Sequence, residues 1–176
     1  MALFALDEGF PDTVLTVAAL LPEVELRPLR DVDDRLLGNA DDWAILLRLF
    51  QHPEPFDGLI TVDASMTRLV RELVVLHQTQ LSLVVFEDVG DDPVRASGLC
   101  LLHLPHVVNQ TEPDKPQLWI LRPPGRKPPI RARDRLGQLA SAEGSSIDQL
   151  MRRERLSSEQ LETDLWSWYT EIDDEY

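Results

Sequence analysis

The chain has a single cysteine, Cys100, among 176 residues. One thiol excludes an internal disulfide and any zinc cage built from cysteines. Its setting, Gly98-Leu-Cys-Leu-Leu, predicts an inert buried side chain. Long apolar runs are also missing, and none approaches the roughly 20 residues that span a bilayer. The segment Met1 to Leu6 carries no basic residue, and Asp7 arrives too early for a secretion signal. These absences lead to the expectation of a cytoplasmic protein that makes no membrane contact. Positive charge is scarce: 17 Lys and Arg stand against 31 Asp and Glu, a formal net charge of −14. Such a chain gets no long-range help from attraction to a phosphate backbone. It remains compatible with an enzyme whose acids hold a cation, because a bound cation reverses the local field. His52, His77, His103 and His106 form no HExxH pattern, and there is no GxSxG elbow, Walker A loop or GxGxxG. His103 and His106 lie on an apolar stretch and read as helix-surface or core residues.

What is present is an ordinary globular composition, 43 % hydrophobic and 27 % charged, long enough for one domain with a real core. Leu3–Leu6, Val24–Leu29, Gly58–Val62, Leu81–Phe86 and Gln117–Leu121 read as five strands. Between them, helical spacing recurs at Val14, Leu15, Ala18 and Leu21, over about Asp41 to Phe50, at Met66, Leu69, Val70, Leu73 and Leu76, and over 93–108. The order β-α-β-α-β-α-β-α-β predicts an α/β fold: a mostly parallel sheet of about four or five strands, covered on both faces. Residues 1–122 form that domain. Residues 123–146, rich in proline and basic side chains, read as an extended arm or linker. Residues 147–176 read as a helical extension. In it, Ser157 and Gln160 stand at capping-box spacing, and Leu161, Leu165, Trp168 and Ile172 form an apolar stripe. Charge follows this division. Residues 1–92 hold 18 acids and 6 basic residues, whereas 122–135 hold Arg122, Arg126, Lys127, Arg131, Arg133 and Arg135 against Asp134 alone.

Open α/β sheets bind ligands outside the carboxyl ends of their strands. Asp7 ends the first strand, Asp63 ends the third, and Asp41 and Asp42 open the helix after the second. All four belong to one edge of such a sheet. Hard oxygen donors from about three carboxylates suit Mg²⁺ or Mn²⁺. An ion held there can activate water and stabilise charge on a phosphodiester. The bland alternatives are that strand-end Asp is a common turn residue and that Asp in a first helical turn complements the dipole.

Leu6-Asp7-Glu8-Gly9-Phe10-Pro11, Asn39-Ala-Asp41-Asp42-Trp43-Ala44-Ile45 and Leu59-Ile-Thr61-Val-Asp63 resemble, in order and spacing, the acidic motifs of the PIN-like domain family. Leu104-Pro105-His106-Val-Val108 and Pro116-Gln-Leu-Trp-Ile-Leu-Arg122 look like the closing helix and strand of its compact, VapC-type toxin-like members. The resemblance covers about residues 2–122. It implies a three-layer α/β/α sandwich and a Mg²⁺- or Mn²⁺-dependent ribonuclease, often the toxin of a toxin–antitoxin pair. It carries over Asp7, Asp41 and Asp63 as catalytic metal ligands, with Asp42 as a further or substitute ligand and Glu8 as an alternate. Arg68 and Arg71 are the nearest substrate-binding cations. The implied partners are RNA, an antitoxin or other protein on the C-terminal arm and helix, and a second copy in a homodimer. Ser65 departs from the pattern, since related proteins often carry an acid there; Glu87 or Asp88 are the available replacements. Two readings compete. One is a non-catalytic interaction module. The other is a receiver-like phospho-signalling domain with Asp63 as acceptor, which lacks the lysine expected near Arg122.

Overall fold

The structure is a computed structural model that describes residues 1–38, 40–89, 92–112, 115–122, 125–126 and 128–169. Five parallel strands carry the fold: β1 (Ala2–Leu6), β2 (Val24–Pro28), β3 (Gly58–Thr61), β4 (Ser82–Phe86) and β5 (Gln117–Arg122). Their spatial order is β2-β1-β3-β4-β5. Two short strands, β6 (Gly125–Arg126) and β7 (Ile130–Arg131), pair antiparallel with β5 and bring the sheet to seven. At two residues each, they are too short to leave a periodic signal.

Alternation along the strands divides the core in two. Leu3, Ala5, Leu59, Leu83, Val85 and Leu118 enter one cluster; Phe4, Leu6, Ile60, Val84, Phe86, Trp119 and Leu121 enter the other. Successive strand residues point to opposite faces, and here both faces are buried. The second cluster is completed by α1 (Thr13–Ala18) and α5 (Pro93–Gln110). The first is completed by α3 (Asp42–Gln51), α4 (Val70–Thr79) and α6 (Ala132–Ala142). A one-turn α2 (Leu29–Val32) links β2 to α3. Cys100 is fully buried and its thiol is pushed up to about 12 by burial, as an inert core side chain should be. Among the described residues, no helix is long and apolar enough to cross a membrane.

Gly58 is required by close approach. A Cβ built there would lie 2.0 Å from the Ser82 carbonyl oxygen on the adjacent strand. Relieving that overlap means prising β3 from β4 in the middle of the sheet. Gly58→Ala is expected to cost about 3 kcal/mol and to lower the melting temperature by roughly 10 °C, measured by circular dichroism.

Three elements differ from the sequence reading. Residues 132–142 form α6 where an extended arm is expected. Ala132, Leu136 and Ala140 recur every four residues and are buried against α4, a stripe of mostly small side chains easily missed beside so many arginines. The stripe from Met66 to Leu76 is broken into a 3₁₀ turn (Ala64–Thr67) and α4, because Asp63 caps the turn rather than a helix. The last helix among the described residues, α8 (Ser158–Glu162), has the capping box of Ser157 and Gln160 but ends early. Gln51 Nε2 donates to the carbonyls of Leu161 and Thr163 at 3.1 and 2.7 Å, satisfying its free end. Helix α7 (Ile147–Glu154) precedes it, and a 3₁₀ turn (Leu165–Ser167) follows. Ile172 and Asn39 lie outside the described residues.

Candidate metal centre

The strand order 2-1-3-4-5 places the topological switch between β1 and β3, where such sheets open a crevice at the carboxyl edge. Leu6 is paired with Ile60, and Asp7 N donates to Ile60 O at 3.0 Å, so Asp7 stands level with Thr61 on the neighbouring strand. Thr61 Oγ1 donates to Asp7 Oδ2 at 2.6 Å and accepts from Asp63 N at 2.9 Å. One buried hydroxyl therefore ties the two strand-end acids together. Asp63 in turn accepts from Ser65 N on Oδ1 and from Ser65 Oγ on Oδ2, both at 2.7 Å. Ser65, the position where an acid is expected, instead orients the carboxylate of Asp63.

Asp41 is the N-cap of α3, and Asp42 is the first helical residue. Asp42 is the one that meets the strand-end acids. Its carboxyl is pushed up to about 6, first by burial and then by the charges of Asp63, Asp7 and Asp41. Asp41 is exposed, and its Oδ2 accepts from Trp43 Nε1 at 3.1 Å. Asp42 thus feels the charges of the other three acids proposed from sequence. The four are not closed around a point: among the described residues, no group of three His, Cys, Asp or Glu side chains is gathered tightly enough to hold a metal ion. Glu8 is exposed at the same edge. Glu87 lies 3.7 Å from Arg122 in an ion pair, and Asp88 sits in a left-handed turn, φ 60°.

One acid was missed from sequence. Glu72, on the first turn of α4, is buried, and its pKa is raised by that burial and by Asp42 and Asp41, against the pull of its own backbone N–H. Arg68 is exposed just beyond the turn that Asp63 caps. Arg71 lies with Cζ 4.2 Å over the Trp43 ring. Arg135 was grouped with the basic arm, yet its Nε donates to Thr67 O at 2.8 Å, which brings a guanidinium to the same turn. No sequence spacing links position 135 to position 67.

The raised pKa of Asp42 has a testable sign. In the unfolded chain, Asp titrates near the ordinary value of about 4. A carboxyl raised to about 6 in the fold contributes stability that is complete below the unfolded value and is lost as pH rises through the folded one. Asp42→Asn should therefore stabilise the cation-free protein at pH 8 by about 1–2 kcal/mol, discounted for partial exposure, and should make no difference near pH 4. Thermal melts in a chelator at the two pH values check this.

No family model, curated protein or solved structure matches the chain.

Proposed function

We propose that the protein is a PIN-like ribonuclease with an α/β/α sandwich fold, and that Asp7, Asp63 and the Asp41–Asp42 pair would hold Mg²⁺ or Mn²⁺. The observation that carries this reading is the meeting of three chain segments at the switch point: Asp7 and Asp63 joined through Thr61, with Asp42 facing both. The donors are all hard oxygens, as those ions prefer. A half-buried carboxyl set against three others is the arrangement a cation relieves. A bound ion would supply a water of lowered pKa and stabilise charge on the phosphodiester.

The residues of the chain do the rest. Thr61 bonds the carboxylate of Asp7 and Ser65 that of Asp63, which holds both acids at the strand ends. Burial, with the charges of Asp42 and Asp41, raises Glu72 above the ordinary glutamate range. Arg68 and Arg135 supply positive charge beside the turn at Asp63, against the overall charge of −14.

The receiver-like reading is favoured by one observation, since the strand order 2-1-3-4-5 is common to receivers as well. Against it, Arg122 rather than lysine follows β5 and pairs with Glu87. The test is cleavage of a labelled RNA with Mn²⁺ by wild type, Asp7→Asn and Asp63→Asn. Activity lost in both variants supports the nuclease, whereas equal behaviour of all three rejects it. A phosphoaspartate at Asp63 after incubation with a small phosphodonor would establish the receiver instead.

A further inference from the structure

We propose that the edge strand β2 is a self-pairing surface, joining two copies of this chain antiparallel about a two-fold axis at Leu26. The proposal stands apart from the metal-ion reading above. Among the described residues, β2 ends the sheet and pairs on one side only, with β1. The Glu23 carbonyl accepts from Ala2 N at 2.9 Å, so it faces β1. Backbone groups alternate in direction along a strand. Glu25 and Arg27 therefore face β1 too, whereas Val24, Leu26 and Pro28 face outward. Val24 N already donates to Leu21 O at 3.1 Å, and Pro28 has no N–H. Within β2, Leu26 is thus the residue that offers the open side both an N–H and a C=O. Residues directly opposite in an antiparallel pair can exchange both bonds. Leu26 set opposite Leu26 of a second copy does so, and uses each group once.

The side chains fit the same axis. A two-fold at Leu26 sets Glu25 opposite Arg27 of the second copy, and Arg27 opposite its Glu25. The contact is isologous, so the pair occurs twice. Opposite charges directly across an antiparallel pair stabilise it, and like charges there destabilise it. Glu25 and Arg27 are in register with Leu3 and Ala5, which places them on the α3 face of the sheet. Arg27 is held there with Cζ 5.7 Å over the Phe56 ring, bonded to Glu25 at 2.6 Å and to Glu54. Self-pairing leaves Glu54 in place and exchanges the bond to Glu25 for the same bond across the axis. On the other face, half-buried Leu26 borders an apolar groove with Met1, Leu15, Ala19 and Leu21, and the second copy's Leu26 closes over it. Charged residues and proline on an edge strand ordinarily keep other strands away. Here they leave one donor and one order of charges, and a second copy of the chain matches both.

The test is sedimentation velocity on the full chain over a range of concentrations, with melting temperature as the control for fold. Wild type is expected to dimerise. Arg27→Glu sets Glu against Glu twice, and Glu25→Arg sets Arg against Arg twice. Each is expected to raise the dimer dissociation constant by about 10-fold or more. Mixed in equal amounts, the two single variants regain opposite charges at both positions and are expected to form a heterodimer as tight as the wild-type dimer. The double variant Glu25→Arg/Arg27→Glu is expected to dimerise like wild type, and it keeps the proposal testable where a single reversal unfolds the chain. Leu26→Pro removes the outward N–H at an edge position, where proline is tolerated, and is expected to stay monomeric. A wild type that remains monomeric up to about 1 mM overturns the proposal. So does a dimer indifferent to the charge reversals and to Leu26→Pro, which would lie on another surface, and so does a mixture of the two single variants that associates no better than either alone.

Discussion

Asp33→Asn is expected to destabilise the protein by about 3–5 kcal/mol, the usual cost of removing one partner from a buried charge cluster, and to lower the melting temperature by roughly 10 °C or more. Asp33 is only 8 % exposed. Its carboxylate accepts from Arg35 Nε and Nη2 at 2.8 Å each, from Arg48 Nε at 2.7 Å and from Trp166 Nε1 at 2.9 Å. Asparagine keeps one acceptor oxygen and turns an amide donor toward two guanidinium groups. The damage spreads, because Asp33 links α3 to the C-terminal segment. Burial opposes ionisation of Asp33, but the hydrogen bonds from Arg35, Trp166 and Arg48 outweigh it and hold the group well below the usual carboxylate range. A depressed folded pKa gives stability that is present above the unfolded value of about 4 and drains away as pH falls below it. The stability gap between wild type and Asp33→Asn should therefore be wide at pH 7 and narrow steadily in acid. A gap of under about 2 °C at pH 7 would mean that the cluster is shared with solvent and contributes little.

Asp63→Asn is expected to lower Mn²⁺-dependent RNA cleavage by at least about 100-fold, the scale of losing one preorganised electrostatic group, while leaving the melting temperature unchanged or higher. The asymmetry follows from the local bonds. The fold uses Asp63 chiefly as an acceptor for Ser65, and an asparagine oxygen can keep the backbone part of that turn. What is lost is the negative charge, which in the cation-free protein repels Asp42. A residue that opposes stability and is needed for activity is the signature of a functional site. A variant that cleaves at the wild-type rate, or one that melts far lower, would mark Asp63 as a turn residue.

Much of the framework was legible because strands and helices bury different periodicities. The five parallel strands fall where short apolar runs do, and the switch point follows from their order. Asp7 and Asp63 could be proposed as a pair because both close a strand at the same edge. The choice between Asp41 and Asp42 could not be made from sequence. Adjacent helical positions differ by about 100° in direction, and only the docking of α3 decides that Asp42 faces the strand-end acids while Asp41 faces the aromatic tips. Glu72 was hidden because it lies off the apolar stripe of α4, which reads as a surface position on an isolated helix. In the fold it is buried, on a helix packed against α3, α6 and α7. Ser65 read as a missing acid, and its role emerges only once its N–H and hydroxyl are seen on Asp63. Trp166, Trp168 and Tyr169 read from sequence as packing on the chain's own body or, less readily, as a surface for a partner, with no pointer to where they would pack. They close on Trp43 and Asp33, more than 120 residues away in sequence, a contact no local pattern encodes.

The account turns on a divalent ion among these acids, and the most direct measurement is anomalous diffraction from a crystal grown with Mn²⁺. The account predicts one strong peak at about 2.0–2.2 Å from carboxylate oxygens of Asp7, Asp63 and the Asp41–Asp42 pair, within the range for a small hard cation on oxygen, and no such peak in Asp63→Asn. A well-ordered site with Mn²⁺ in the solution and no peak between these residues would contradict it.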